Sequence, residues 1–184
     1  MSLDIIEKDI AEVIIDEEEL QQRIKEMGEE ITDSYQEGTE LRLICILRGA
    51  VMFMADLSQH INLPVTFDFM EVSSYAGTES SGTVRIIKDL EDDITGKNVL
   101  IIEDIIDTGL TLKNVINMLE TRNPASIKVA TLLDKPERRD YKHVQVDFNG
   151  FEIPNKFVVG YGLDYAEKYR NLPFIGVLKE EKYS

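Results

Sequence analysis

One stretch constrains the chain more than any other: Val99-Leu-Ile-Ile-Glu-Asp-Ile-Ile-Asp-Thr-Gly-Leu-Thr-Leu112. It opens on a short, mostly β-branched apolar run, Val99 to Ile102, which reads as a strand buried on both faces of a parallel sheet. The run ends on Glu103 and Asp104, followed by Asp107, Thr108, Gly109 and Thr111. Leu112, Val115, Ile116 and Leu119 then recur at helical spacing. The pattern is strand, acidic loop, helix. In open α/β sheets, ligands bind outside the carboxyl ends of the strands. The small residues before the helix let backbone N–H groups approach an anion at its start.

The residue types narrow the chemistry. Hydroxyls at a helix N-terminus suit a phosphate. Adjacent carboxylates suit sugar hydroxyls or Mg²⁺, a hard cation that takes oxygen ligands. Three acids repel a phosphate unless a metal or a sugar lies between them. The loop therefore reads as a site for a phosphorylated sugar with Mg²⁺. It has neither the Gly-Lys-Ser/Thr ending of a Walker loop nor a Gly-x-Gly-x-x-Gly fingerprint. The plain alternative is a strand-loop-helix with a solvated acidic turn.

Composition sets outer bounds. With 184 residues and 43% hydrophobic content, one domain with a substantial core is expected. No apolar run approaches the ~20 residues that span a bilayer. The N-terminus lacks the basic and apolar regions of a signal peptide. Cys45, the only cysteine, lies in an apolar run and reads as a small buried hydrophobe, which fits the cytoplasm. A net charge of −15 weighs against nucleic acid as a partner, since that binding depends on basic neutralisation. An anionic substrate must arrive with Mg²⁺ and meet local Lys and Arg in a cleft.

The rest of the chain reads as follows. Residues 5–15 form an extended lead-in. Asp16 caps a helix whose apolar stripe is Leu20, Ile24, Met27, Ile31 and Tyr35. Leu41–Leu47 is a strand that stops at Arg48-Gly49, a second anion site, before another helix. Pro64–Val72 is a strand. Residues 73–83, rich in Ser, Gly and Thr, form a loop of lid length, and 84–88 pairs back as a strand. Ser126–Leu133 is a strand ending at Asp134-Lys135-Pro136, another cation at a strand end. Arg138-Arg139 reads as a solvated turn. Phe157 can stack on a base, and the backbone around Val158 can hydrogen-bond its edge. Phe174–Leu178 closes as a last strand.

The central stretch resembles the phosphoribosyl-pyrophosphate (PRPP) motif of the type I phosphoribosyltransferases: an apolar strand, two acids, two apolar residues, then Asp-Thr-Gly-x-Thr. Its form Ile-Ile-Glu-Asp-Ile-Ile-Asp-Thr-Gly is most similar to the hypoxanthine-guanine branch. A second run, Phe148 to Tyr165, resembles the family's Phe-Glu-Ile-Pro-x-Lys-Phe-Val-Val-Gly-Tyr-x-Leu-Asp. The resemblance covers roughly residues 5–180. It implies an α/β fold, a twisted, mainly parallel sheet flanked by helices. It also implies a small hood from the N-terminal residues and roughly 145–184, all in one domain.

The resemblance implies site residues too. Glu103 and Asp104 hold the ribose hydroxyls and a first Mg²⁺. Ile105, Ile106 and Asp107 to Thr111, with Gly109 and Leu110, line the substrate, Thr108 and Thr111 holding the 5′-phosphate. Asp107 is the general base. Arg48 and Gly49 contact pyrophosphate, beside a cis Leu47–Arg48 peptide. Ser74-Tyr75 open the mobile loop, although Ala76-Gly77 replace the acid or amide that often follows. Lys135 reads the 6-oxo group. Lys156, Phe157 and Val158 serve the base, Asp164 a second Mg²⁺, and Arg170 the pyrophosphate. The implied activity is purine salvage. Hypoxanthine or guanine reacts with PRPP to give IMP or GMP and pyrophosphate, with no nucleic acid or membrane partner, in a homodimer or homotetramer. A nucleic-acid-binding regulator with a PRPP motif is the rival from another class. A sibling enzyme acting on xanthine or adenine is the rival within the fold.

Overall fold

A computed structural model describes residues 4–74, 84–141 and 144–183. Its elements are α1 (Asp4–Glu7), β1 (Ile10–Ile15), α2 (Glu17–Asp33), β2 (Leu41–Leu47), α3 (Val51–Ser58), β3 (Val65–Ser74), β4 (Val84–Lys88), β5 (Asn98–Ile106), α4 (Leu110–Glu120), β6 (Ser126–Asp134), β7 (Phe148–Glu152), β8 (Val158–Val159) and β9 (Ile175–Leu178). The main sheet has the order β4-β3-β2-β5-β6-β7. All its pairings are parallel except β3 with β4, which is antiparallel. A separate antiparallel sheet, β1-β9-β8, brings both chain ends together.

The alternation of strand residues builds two cores. Leu43, Cys45, Leu100 and Ile102 face α2 and α3, while Ile44, Ile46, Val99 and Ile101 face α4. The strands are apolar throughout because both faces are covered. In α2 the stripe Leu20, Ile24, Met27 and Ile31 is fully buried, each side chain contributing about 1.5–3 kcal/mol. Asp16 caps this helix, its carboxylate accepting the Glu19 N–H at 2.9 Å. At Gly28 the helix meets the His60 turn so closely that a Cβ would lie 2.4 Å from His60 Cβ.

The elements depart from expectation at their boundaries. The lead-in is a short helix followed by an edge strand of the smaller sheet. β5 continues to Ile106 because Ile105 and Ile106 still pair with Leu133 and Asp134. Phe148–Glu152 joins the main sheet, parallel to β6, so the smaller sheet draws on the C-terminal part only from Val158 onward. β3 runs through Ser73 and Ser74. The remainder of the expected lid, with Tyr75, lies outside the described residues.

Candidate active site

Because β2, β3, β5, β6 and β7 are parallel, their carboxyl ends share one edge of the sheet. Arg48-Gly49 follows β2, Asp107–Gly109 follows β5, and Lys135 follows β6. After β2 the chain moves outward to β3, and after β5 it moves the other way to β6 and β7. The switch therefore falls between β2 and β5, where such sheets open a crevice. The Leu47–Arg48 peptide there is cis. Gly49 faces Asp104 so tightly that a Cβ would lie 1.5 Å from Asp104 Oδ2.

Glu103 is buried at the end of β5, beside Asp104. Burial, and then the neighbouring Asp104 charge, raise the Glu103 pKa well above the usual carboxylate range. Burial raises Asp104 as well, opposed by hydrogen bonds such as that from the Ile105 N–H at 2.7 Å. Two adjacent acids so placed are in charge conflict, which a cation relieves. Among the described residues no three His, Cys, Asp or Glu side chains close around a metal. The Glu103 and Asp104 carboxylates offer the oxygen donors that a hard cation such as Mg²⁺ takes.

Next to this pair, Glu103, Ile105, Ile106, Asp107, Thr108, Gly109, Thr111 and Leu112 line a cavity of about 190 Å³. Gly109 enters α4 with φ +84°, a left-handed conformation that glycine adopts without a Cβ clash. The Leu110 N–H donates to Thr108 Oγ1 at 3.3 Å. Asp107 Oδ1 lies 3.3 Å from Lys135 Nζ, is shielded from solvent and accepts no hydrogen bond. Lys135 itself is buried. The pair thus joins the ends of β5 and β6 and leaves an acceptor oxygen unsatisfied.

Arg139 corrects the expectation of a solvated turn. Its guanidinium grips Asp134 through two contacts of 2.9 Å and donates to Val144 O at 3.0 Å. Both partners are about nine-tenths buried. The physical reason is Asp134, an acid buried at a strand end that needs a cation. The same segment braces the cavity, with the Tyr141 N–H donating to Thr108 O at 3.1 Å. The only trace of this brace in sequence is an acid five residues before an Arg.

The segment after β8 packs on the Arg48-Gly49 turn. Gly162 has φ +99°, and a Cβ there would lie 2.0 Å from Gly49 O. Arg170 donates to Gly162 O at 2.7 Å and pairs with Asp164 at 2.9 Å. Arg48 pairs with Glu167 at 3.1 Å. Phe157 is 39% exposed, stacked on Tyr183 at 4.9 Å and edge-on to Tyr165 at 5.7 Å. Val158 is buried in β8. Lys156 does not converge with the others: its Nζ contacts Glu12 of β1 at 2.6 Å.

Residues 12–166 match the phosphoribosyl transferase domain family. The hypoxanthine-guanine phosphoribosyltransferase of Bacillus subtilis (strain 168) is 53% identical over 180 residues, covering 97% of this chain and 99% of that protein. That of Streptococcus pyogenes serotype M3 (strain ATCC BAA-595 / MGAS315) is 50% identical over 181 residues, covering 98% and 99%. The crystal structure of a hypoxanthine phosphoribosyltransferase from Staphylococcus aureus superposes with a TM-score of 0.95 at 49% identity, covering all of both chains. A parallel sheet switching direction over a PRPP-type loop, matched along almost its whole length by these enzymes, places the chain in the phosphoribosyltransferase family, on its hypoxanthine-guanine branch.

Proposed function

We propose that this enzyme transfers the 5-phosphoribosyl group of PRPP to hypoxanthine or guanine in a Mg²⁺-dependent reaction, with Asp107 as general base. The observation that carries the reading is the Asp107–Lys135 pair, a donor and an unsatisfied acceptor 3.3 Å apart beside the phosphate loop. Lys135 is a donor only. It suits the C6 oxygen of a 6-oxopurine and opposes the C6 amine of adenine. With the base so held, Asp107 accepts the proton at N7 while N9 attacks C1′ of PRPP. The C1′–oxygen bond breaks, and its electron pair leaves with pyrophosphate. IMP or GMP results.

The remaining residues serve that transfer. Thr108, Gly109, Leu110 and Thr111 hold the 5′-phosphate at the start of α4. Glu103 and Asp104 hold the ribose hydroxyls and Mg²⁺, with Asp164 at a second ion. Bound Mg²⁺ supplies charge neutralisation of the leaving pyrophosphate. Arg48, Gly49 and Arg170 bind that pyrophosphate. Ile105, Phe157 and the Val158 backbone hold the base. A cytoplasmic homodimer or homotetramer fits the family and the lone reduced cysteine.

The test is turnover of hypoxanthine, guanine, xanthine and adenine with PRPP, before and after metal removal. Hypoxanthine and guanine are expected to react and adenine not, because an unmatched polar site rejects a substrate strongly. Chelation abolishes turnover and Mg²⁺ restores it. Lys135→Met narrows the gap between hypoxanthine and adenine. Comparable use of adenine by the unmodified protein, or full activity without metal, overturns the reading.

A further inference from the structure

Tyr161 has no part in the roles above. It is buried, with a left-handed φ of +47°, and its N–H donates to Leu172 O at 2.8 Å. Its side chain reaches the helix that follows the Arg48-Gly49 loop. There its hydroxyl donates to Asp56 Oδ2 on α3 in a short hydrogen bond. Gln21 of α2 donates to the same oxygen at 3.0 Å. One carboxylate thus ties two helices to the segment after β8.

The next residue continues the connection. Gly162 packs on the Gly49 carbonyl, leaving no room for a Cβ, and Gly49 packs equally closely on Asp104. The Gly162 N–H donates to Arg170 O at 2.9 Å, and Arg170 returns a hydrogen bond to Gly162 O. A continuous contact path therefore runs from Asp56 through Tyr161, Gly162 and Gly49 to Asp104, with Arg170 fastened to it. The Arg48 side chain adds little restraint of its own. It is 58% exposed, and its ion pairs to Glu71 and Glu167 are of the surface kind that contributes little.

We infer that the Tyr161–Asp56 hydrogen bond is a positioning device that sets the Arg48-Gly49 loop against Arg170 for the diphosphate end of PRPP. The inference rests on the reading that this loop and Arg170 bind the diphosphate. A loop that binds a diphosphate through backbone groups must be held to a fraction of an ångström. A phenol bonded to a carboxylate is charge-assisted and stronger than a neutral pair. Burial and the Asp56 charge raise the Tyr161 pKa, so the hydroxyl remains a donor across the working pH range.

The experiment is steady-state kinetics of Tyr161→Phe, with inorganic pyrophosphate as an added inhibitor. The KM for PRPP and the inhibition constant of pyrophosphate are expected to rise roughly 10- to 100-fold, the scale of one charge-assisted hydrogen bond. The KM for hypoxanthine is expected to stay within about twofold, well under the 1.4 kcal/mol of a tenfold change. The isosteric Asp56→Asn keeps an acceptor but not its charge, and is expected to show a smaller rise in the same two constants. If Tyr161→Phe does not fold, Asp56→Asn decides alone. An unchanged PRPP KM, or an equal rise for PRPP and hypoxanthine, overturns the role, since a purely structural bond would not separate the two substrates. Gly49→Ala, which drives the loop backbone against Asp104, reports on the underlying reading. A raised PRPP KM there with none in Tyr161→Phe overturns the positioning role alone. No rise in either variant overturns the diphosphate placement as well.

Discussion

Asp107 and Lys135 come from the ends of adjacent strands and meet at 3.3 Å. A buried ammonium needs its counter-charge, so removing Asp107 outright would leave Lys135 uncompensated. Asp107→Asn avoids that extreme, because the amide oxygen keeps an acceptor in place while losing the basic site. The variant is expected to fold, shown by an unchanged circular dichroism spectrum, and to lose about 10²–10⁴-fold in kcat for hypoxanthine. Near-normal turnover would remove Asp107 from the proton transfer. At this scale the sequence is uneven. Asp107 is legible because its neighbours form one local motif. Its pairing with Lys135 is not, since the two residues are distant in the chain. Arg139 is misread from sequence because its burial depends on Asp134 and Val144, which only folding brings around it.

Among elements, the two strand-to-helix turns use glycine for different reasons. Gly109 is required by its φ of +84°, while a Cβ there would meet nothing closer than 3.5 Å. Gly109→Ala is therefore expected to cost about 1–2 kcal/mol of stability, the left-handed penalty. Gly49 is required by proximity, since a Cβ would fall on the Asp104 carboxylate. That carboxylate is held by the Ile105 N–H and has little freedom to retreat. Gly49→Ala is expected to cut kcat/KM for PRPP about a hundredfold, as an ångström of misplacement does. A Gly49→Ala enzyme with normal PRPP kinetics would show that Asp104 tolerates displacement. The types of most elements are legible from periodicity, and their ends are less so. β5 outruns its apolar run because backbone pairing with β6 continues past the first acids.

At the scale of the whole molecule, Cys45 reports on the core. Burial, followed by the charges of Glu103 and Asp104, pushes its thiol up to about 12. The thiolate is the reactive species, so alkylation of the folded protein at pH 8 is expected to be negligible, accelerating only as pH climbs toward 12. Unfolding in denaturant exposes the residue and permits complete modification. Intact mass after iodoacetamide treatment distinguishes the two, and rapid labelling of the folded protein would contradict the burial. The sequence by itself determined the parallel α/β sheet, the PRPP-type loop and the cations at strand ends. Each of these is written in residues close along the chain, where a short continuous apolar run, a period of 3.6 and a local motif suffice. Only the tertiary structure decided that Phe148–Glu152 extends the main sheet, that Lys156 turns to Glu12, and that Arg139 grips the buried Asp134. It alone also decided that Tyr161 bonds Asp56 while Gly162 and Asp104 close on Gly49. Those contacts join residues far apart in sequence, and packing geometry, which no local pattern encodes, selects them.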